Sequence, residues 1–210
     1  MTAPNPQAGP LTGLDVGADG AGLPHPAPRQ PNLFDLGRSA ATISADGLHR
    51  YNLWRGLTDD PRQLVYVMCN PSTADAFADD PTITKCKKIA AVQGYGQLVV
   101  VNLWSYRTSE PRLLIAAANN GIEITGGVTN WAWMRFHMER ASKVIVAWGA
   151  IAANVPGYED RVRALRLDAA ALDLDLFCLG VTKDGYPKHP MARGKSRIPD
   201  DQPLVRWHAS

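Results

Sequence analysis

Met68-Cys69-Asn70-Pro71-Ser72-Thr73-Ala74-Asp75 is the stretch where an unbroken apolar run, Leu64 to Met68, gives way to polar side chains. A short continuous apolar run bounded by turn residues suits a strand covered on both faces. In open parallel sheets, ligands bind just beyond the carboxyl ends of such strands. Asn70, Ser72, Thr73 and Asp75 are therefore expected to line a cleft. Pro71 fixes its own φ and biases Asn70 toward extended backbone, which holds the Asn side chain on a stiff turn. The same residues also suit an ordinary strand-to-helix turn with Ser72 or Thr73 as N-cap.

Working outward, three more apolar runs end in the same way. Leu98 to Val101 leads into Asn102, Ser105, Tyr106, Arg107 and Thr108, and Lys143 to Ala147 is closed by Trp148-Gly149. Leu174 to Leu179, interrupted by Asp175, is expected at a sheet edge and leads to Pro187-Lys188-His189-Pro190. Between the runs lie helix signals. Asp80-Pro81 followed by Gly94 reads as an N-cap, a proline at the first helical position and a C′ glycine. Ser109-Glu110-Pro111 opens a short helix to about Ala118, Thr129 to Arg140 carries an apolar stripe of Trp131, Met134 and Met138 that reads as core, and a further helix is expected around Asp160 to Leu167.

Upstream, Ala41-Thr42-Ile43 and Tyr51-Asn52-Leu53-Trp54 flank Asp46-Gly47, a hairpin signal expected to cap one edge of the sheet. Residues 1–37, rich in Pro, Gly and Ala with no period, read as a disordered extension, and 38–210 as a single α/β domain. Strands alternating with helices give the expected fold: three layers, α/β/α, around a central four-stranded parallel sheet, plus the N-terminal β-hairpin.

The bulk numbers narrow the function classes. With 210 residues, 45% of them apolar, the chain fits one domain plus a tail and can bury a sizeable core. Cys69, Cys86 and Cys178 form no Cys-x-x-Cys pair, which argues against a disulfide framework, a zinc knuckle or a thiolate cluster. Neither a basic stretch followed by an apolar run at the start nor a long apolar segment later is present, so a cytoplasmic protein without membrane contact is expected. Net charge is only +2, but residues 1–37 hold Asp15, Asp19 and Asp35 against Arg29, leaving the positive excess to the remainder. Lys183, Lys188, Arg193, Lys195 and Arg197 cluster with Asp184 as the one interspersed acid, as a solvated loop or as a phosphate-facing edge.

The residues at the four strand ends suit recognition of a planar heterocycle and a phosphate. Asn70 and Asn102 offer paired donors and acceptors, Trp104 and Tyr106 offer stacking surfaces, and Arg107 with the basic cluster offers phosphate contacts. His189, stiffened between two prolines and outside any apolar period, reads as functional. Asp75 could act as a base or cation stabiliser, or serve as a carboxylate at a helix start; Asp79 and Asp80 are explained by capping.

From about Val65 onward the chain resembles an uncharacterised bacterial and phage domain family. The likeness rests on Asn70 to Asp75, Asp79 to Thr82, Asn102 to Thr108 and His189-Pro190. More distantly, the order of motifs is similar to the uracil-DNA glycosylase superfamily. That resemblance implies a glycosylase-like fold and a metal- and cofactor-independent, monomeric enzyme. It would hydrolyse the N-glycosidic bond of a damaged or modified base in DNA, single-stranded or with the base extruded. It further implies that Asn70 positions water, Asn102 reads the base and His189 supports the departing base. Pro71, Ser72, Thr73, Gly149, Lys188 and Arg193 fall among the contacts to base or nucleic acid. Met68 and Ser72 stand where the first motif of that superfamily has glycines, and Met191 replaces its small polar residue after His-Pro. Two other classes are a binding module that keeps the pocket without hydrolysis, and a nucleotide-processing enzyme holding phosphate at Ser72-Thr73. The turn lacks the Gly-rich cradle that the last would use.

Overall fold

The computed structural model of the protein describes residues 39–72, 74 and 78–208. The extension read over residues 1–37 lies outside the described residues, as do Thr73 and Asp75 of the turn. At the centre is β3 (Gln63–Met68), every residue of which is buried. Parallel pairing joins β3 to β4 (Gln97–Asn102) on one side and to β5 (Lys143–Val146) on the other, and β5 pairs in parallel with β6 (Leu176–Cys178).

The sheet is wider than the sequence reading expected. Among the described residues, seven strands run in the order β1-β2-β4-β3-β5-β6-β7, so the sheet is mixed. The hairpin of β1 (Ser39–Ile43) and β2 (Arg50–Gly56) is part of it, because β2 pairs antiparallel with β4. At the opposite side a two-residue strand, β7 (Val205–Arg206), pairs antiparallel with β6, so β6 is not the edge expected from Asp175. No run as short as Val205-Arg206 carries a periodic signal, which is why the pattern missed it.

Four α-helices among the described residues cover the two faces: α1 (Pro81–Val92), α2 (Pro111–Asn119), α3 (Gly127–Met138) and α4 (Tyr158–Ala171). Alternation along β3 divides the core between them. Leu64, Tyr66 and Met68 pack with Ile83, Cys86 and Ile89 of α1, whereas Val65 and Val67 pack with Leu114 of α2, Met134 and Met138 of α3 and Leu165 of α4. Burial on both faces explains why β3 is apolar at every position rather than at every second one. Truncating one of these central Val or Leu side chains to Ala should cost about 2–4 kcal/mol.

The helix boundaries follow from local chemistry. Asp80 caps α1, its carboxylate accepting from the Ile83 amide at 2.8 Å, and Pro81 needs no amide partner there. At the other end Gly94, at φ +77°, lets the Tyr95 and Gly94 amides reach the Ala90 and Ala91 carbonyls. Asp79 is no cap; it binds Arg55 Nε at 2.7 Å and Lys87 Nζ at 2.8 Å. In α3 the buried face is broader than the expected stripe: Asn130, Trp133 and His137 are buried beside Met134 and Met138, while Trp131 is only half-buried. All three cysteines are free and buried, and burial pushes the Cys69 thiol up to about 12. Among the described residues, no helix is long and apolar enough to cross a membrane.

Candidate functional site

Because β3, β4 and β5 are parallel, their carboxyl ends open on one side of the sheet, where the segment after β6 folds across them. A cleft of about 420 Å³ lies there, and Asn70, Ser72, Asn102, Gly149 and His189 all line it. Four distant pieces of chain thus contribute expected residues to one cleft. Arg50, Asp80, Thr108 and Trp148 also line it, and of these the sequence pattern marks only Thr108, as one of the polar residues at a strand end.

Each side chain is held differently. Asn70 Nδ2 donates to the carbonyls of Pro71 at 3.1 Å and Thr108 at 3.0 Å, which fixes the carboxamide and leaves Oδ1 with no partner among the described residues. Pro71 is buried and its carbonyl also accepts the Thr108 amide at 2.9 Å, so the two turns brace each other. Asn102 is only 2% exposed, and its backbone carbonyl accepts from Asn130 Nδ2 at 3.0 Å. Its carboxamide finds no hydrogen-bond partner among the described residues. Its amide atoms are not among the sealed polar atoms that lack a partner, so they open on the cleft, where a ligand or water can complete them.

His189 is oriented from below. The Met191 amide donates to its Nδ1 at 3.2 Å, so Nδ1 carries no proton and Nε2–H is the donor. Burial pulls its pKa down to about 4, partly opposed by the Asp80 carboxylate, so the ring is neutral at pH 7. Gly149, at φ +75°, is the close neighbour: a Cβ there would lie 3.3 Å from His189 Cβ, and its amide donates to the Pro187 carbonyl at 3.0 Å. Arg50, 2% exposed, brings positive charge to the wall and donates to the Ala74 carbonyl at 2.7 Å. Ser72 Oγ donates to the Asp80 carboxylate that caps α1. Among the described residues, no group of three or more His, Cys, Asp or Glu is arranged to hold a metal ion.

Other expected residues lie elsewhere. Trp104 is 1% exposed within the core under α2 and α3, so its ring offers no stacking surface to a ligand. Tyr106 packs edge-on against His49, with ring centroids 5.9 Å apart. Arg107 Nη1 donates to the Gly47 carbonyl at 3.0 Å and ties down the β1–β2 turn. Lys188 runs along Gly180, and Arg193 sits exposed in a second groove beside α1. These misses share a cause: once a strand ends, its period of two no longer tells which way the next side chains face. Arg50 was missed because nothing in Arg50-Tyr51-Asn52 marks one charged side chain of a hairpin strand as facing a distant turn.

A second polar cluster has the composition of a nucleophile relay. Ser105 Oγ lies 2.8 Å from His49 Nδ1, and His49 Nε2 lies 3.7 Å from Glu123 Oε2. Ser105 is 0% exposed, however, so no substrate carbonyl reaches it. Glu123 accepts the amides of Thr125 at 2.7 Å and Gly126 at 2.9 Å, and the Arg50 amide donates to the Ser105 carbonyl. The cluster fastens β2 and the end of β4 to the loop before α3.

No curated protein and no solved structure matches the chain. The family described as "Protein of unknown function (DUF1643)" matches residues 50–191. That span contains β2 through the His189 loop, and with it every described residue named above as lining the cleft. It also accords with the expectation of an uncharacterised domain family. Since the match takes in well over half of the 210 residues, the chain belongs to the DUF1643 family.

Proposed function

We propose that the protein is a nucleobase-recognising hydrolase with a uracil-DNA glycosylase-like fold, acting on the N-glycosidic bond of a damaged or modified base in DNA. One observation carries the reading: the unpartnered Asn102 carboxamide, the neutral His189 ring and the Asn70 carboxamide oxygen line a single cleft at parallel strand ends. A carboxamide offers a donor and an acceptor side by side, which matches the edge of a base. Asn70 Oδ1 accepts from a water aimed at the sugar C1′. As the water oxygen bonds C1′, the bond from C1′ to the base nitrogen breaks. The base leaves with the bonding electrons as an anion that accepts a hydrogen bond from His189 Nε2–H, and the proton lost by the attacking water reaches that anion through solvent, giving the free base and the sugar hydroxyl. Ser72 supports the turn through Asp80 rather than touching the base. Asp75 is kept as base or cation stabiliser and Thr73 as a contact to base or nucleic acid, and DNA is the partner.

A second reading, a binding module of the same fold, is favoured by the fate of Asp80. It lines the cleft, but its oxygens are engaged by the Ile83 amide and the Ser72 hydroxyl, which weakens it as a general base. The same carboxylate stands where a phosphate would sit at the α1 N-terminus, which disfavours the nucleotide-processing alternative. Incubating the protein with oligonucleotides carrying a panel of damaged and modified bases, and measuring free base and abasic sites, tests the proposal. Release of one base from the panel supports hydrolysis. Retention without release leaves the binding module, and neither retention nor release sinks both.

A further inference from the structure

Beside the cleft runs a second groove of about 470 Å³, between α1 and the segment 190–200. The two share a wall: Pro81 and Thr82 are consecutive, as are His189 and Pro190, and in each pair one residue lines each concavity. The Met191 amide that orients His189 belongs to this wall.

The groove differs from the cleft in charge. Lys85 and Lys88 stand on one face of α1, and Arg193 and Arg197 face them from the other side. The one acid lining the groove, Asp200, pairs with Lys85. Its carboxyl is held below the usual range by that hydrogen bond, with Lys88 and Arg197 adding to it. Lys88, Arg193 and Arg197 are exposed and have no ion-pair partner among the described residues. In a chain of net charge only +2, three such cations around one concavity are a local feature, not background.

We infer that this groove takes the phosphodiester backbone of a single-stranded nucleic acid whose base enters the adjoining cleft. That the base enters the cleft rests on the reading of the cleft as a base pocket. Cations without partners release counterions when they meet phosphates, which is what gives a backbone contact its affinity and its salt dependence. Single strand is favoured because a base inside a concave cleft must leave any stack, at least cost where it is not paired. The groove thus distinguishes a polymer substrate from a free nucleoside, which would use the cleft alone.

The test uses the full chain and its Lys88→Gln/Arg193→Gln/Arg197→Gln variant, whose replaced side chains are exposed and cost little stability. Fluorescence anisotropy with a single-stranded oligonucleotide, titrated at several salt concentrations, should show the parent binding with a salt slope. The variant should lose roughly tenfold or more in affinity at low salt, its slope smaller by about 0.7 per lost contact. Equal binding by the variant, or no binding by the parent at low salt, overturns the inference. So does equal displacement by inorganic phosphate, a mononucleotide or polyglutamate at matched ionic strength, since the site would then read charge alone. The cleft is followed separately by thermal shift with free nucleobases, to which the groove variant should respond as the parent does. A parent blind to every nucleobase but sensitive to the groove charges would sink the base-pocket reading and leave the groove. The reverse pattern would sink the groove and leave the base pocket.

Discussion

Asn102 and Ser105 lie three residues apart at the end of the same strand, yet they belong to regions of opposite character. Around Ser105, serine, histidine and glutamate stand in the order of a catalytic relay, but the hydroxyl is sealed and the Glu123 carboxylate is occupied by backbone amides. Around Asn102 the composition is unremarked, while hydrogen-bonding capacity is left facing a cavity. Residue types alone would have chosen the wrong cluster. What separates a site from a brace is capacity not yet used and a space beside it.

The sharpest way to break this comparison is kinetic. Asn70→Ala should reduce single-turnover base release by about 10²- to 10³-fold, because water placement acts mainly in the transition state, while oligonucleotide affinity changes little. His49→Gln should leave the release rate within about threefold. A larger loss from His49→Gln than from Asn70→Ala would transfer the active site to the other cluster.

Next in size is a pH effect on the cleft side. With His189 at about 4 against an ordinary 6.5, folded and unfolded chains are both neutral above pH 6.5. Between those values only the unfolded chain takes up the proton, so stability is full above pH 6.5 and falls as pH drops toward 4. The loss reaches up to about 3 kcal/mol at about 1.4 kcal/mol per unit. His189→Gln, which retains an acceptor for the Met191 amide, should flatten the denaturation midpoint across this window relative to the parent. An unchanged slope would mean the ring is not held neutral by its surroundings. His137, also pulled to about 4 by burial and by Arg140, adds a contribution of the same sign that remains in that variant.

Two smaller effects sharpen the brace. A Cβ on Gly126, which sits at φ +67°, would lie 2.1 Å from Ser105 Oγ, so Gly126→Ala should cost about 2 kcal/mol in urea denaturation. Removing the hydroxyl with Ser105→Ala leaves His49 Nδ1 without its partner and should cost about 1–2 kcal/mol with base release intact. Asn102→Ala should do the opposite, changing stability by no more than about 0.5 kcal/mol while eroding discrimination among bases, since its carboxamide has no protein partner to lose. If Asn102→Ala destabilises more than Ser105→Ala, the division between site and brace collapses.

How much of this was legible beforehand differs from element to element. The apolar run into β3, the capping of α1 by Asp80 and Pro81, and the polar residues waiting at successive strand ends were readable because burial, helix capping and turn chemistry act over a few neighbouring residues. Parallel pairing then brought Asn70, Asn102, Gly149 and His189 together, as alternation of strands and helices implied. Other outcomes depend on contacts between distant parts of the chain. Joining the hairpin to β4, adding β7 to β6, turning Trp104 into the core and Arg50 toward the cleft are decided by what lies opposite each residue, not by its neighbours. The same holds for the groove, whose cations come half from α1 and half from a segment about a hundred residues later, met only across folded space. Sequence by itself determined the longer strands and helices, β7 excepted, and which polar residues stand at their ends. Tertiary structure alone decided which of those polar groups are satisfied within the protein and which are left for a ligand, because hydrogen-bond satisfaction is a property of the packed arrangement.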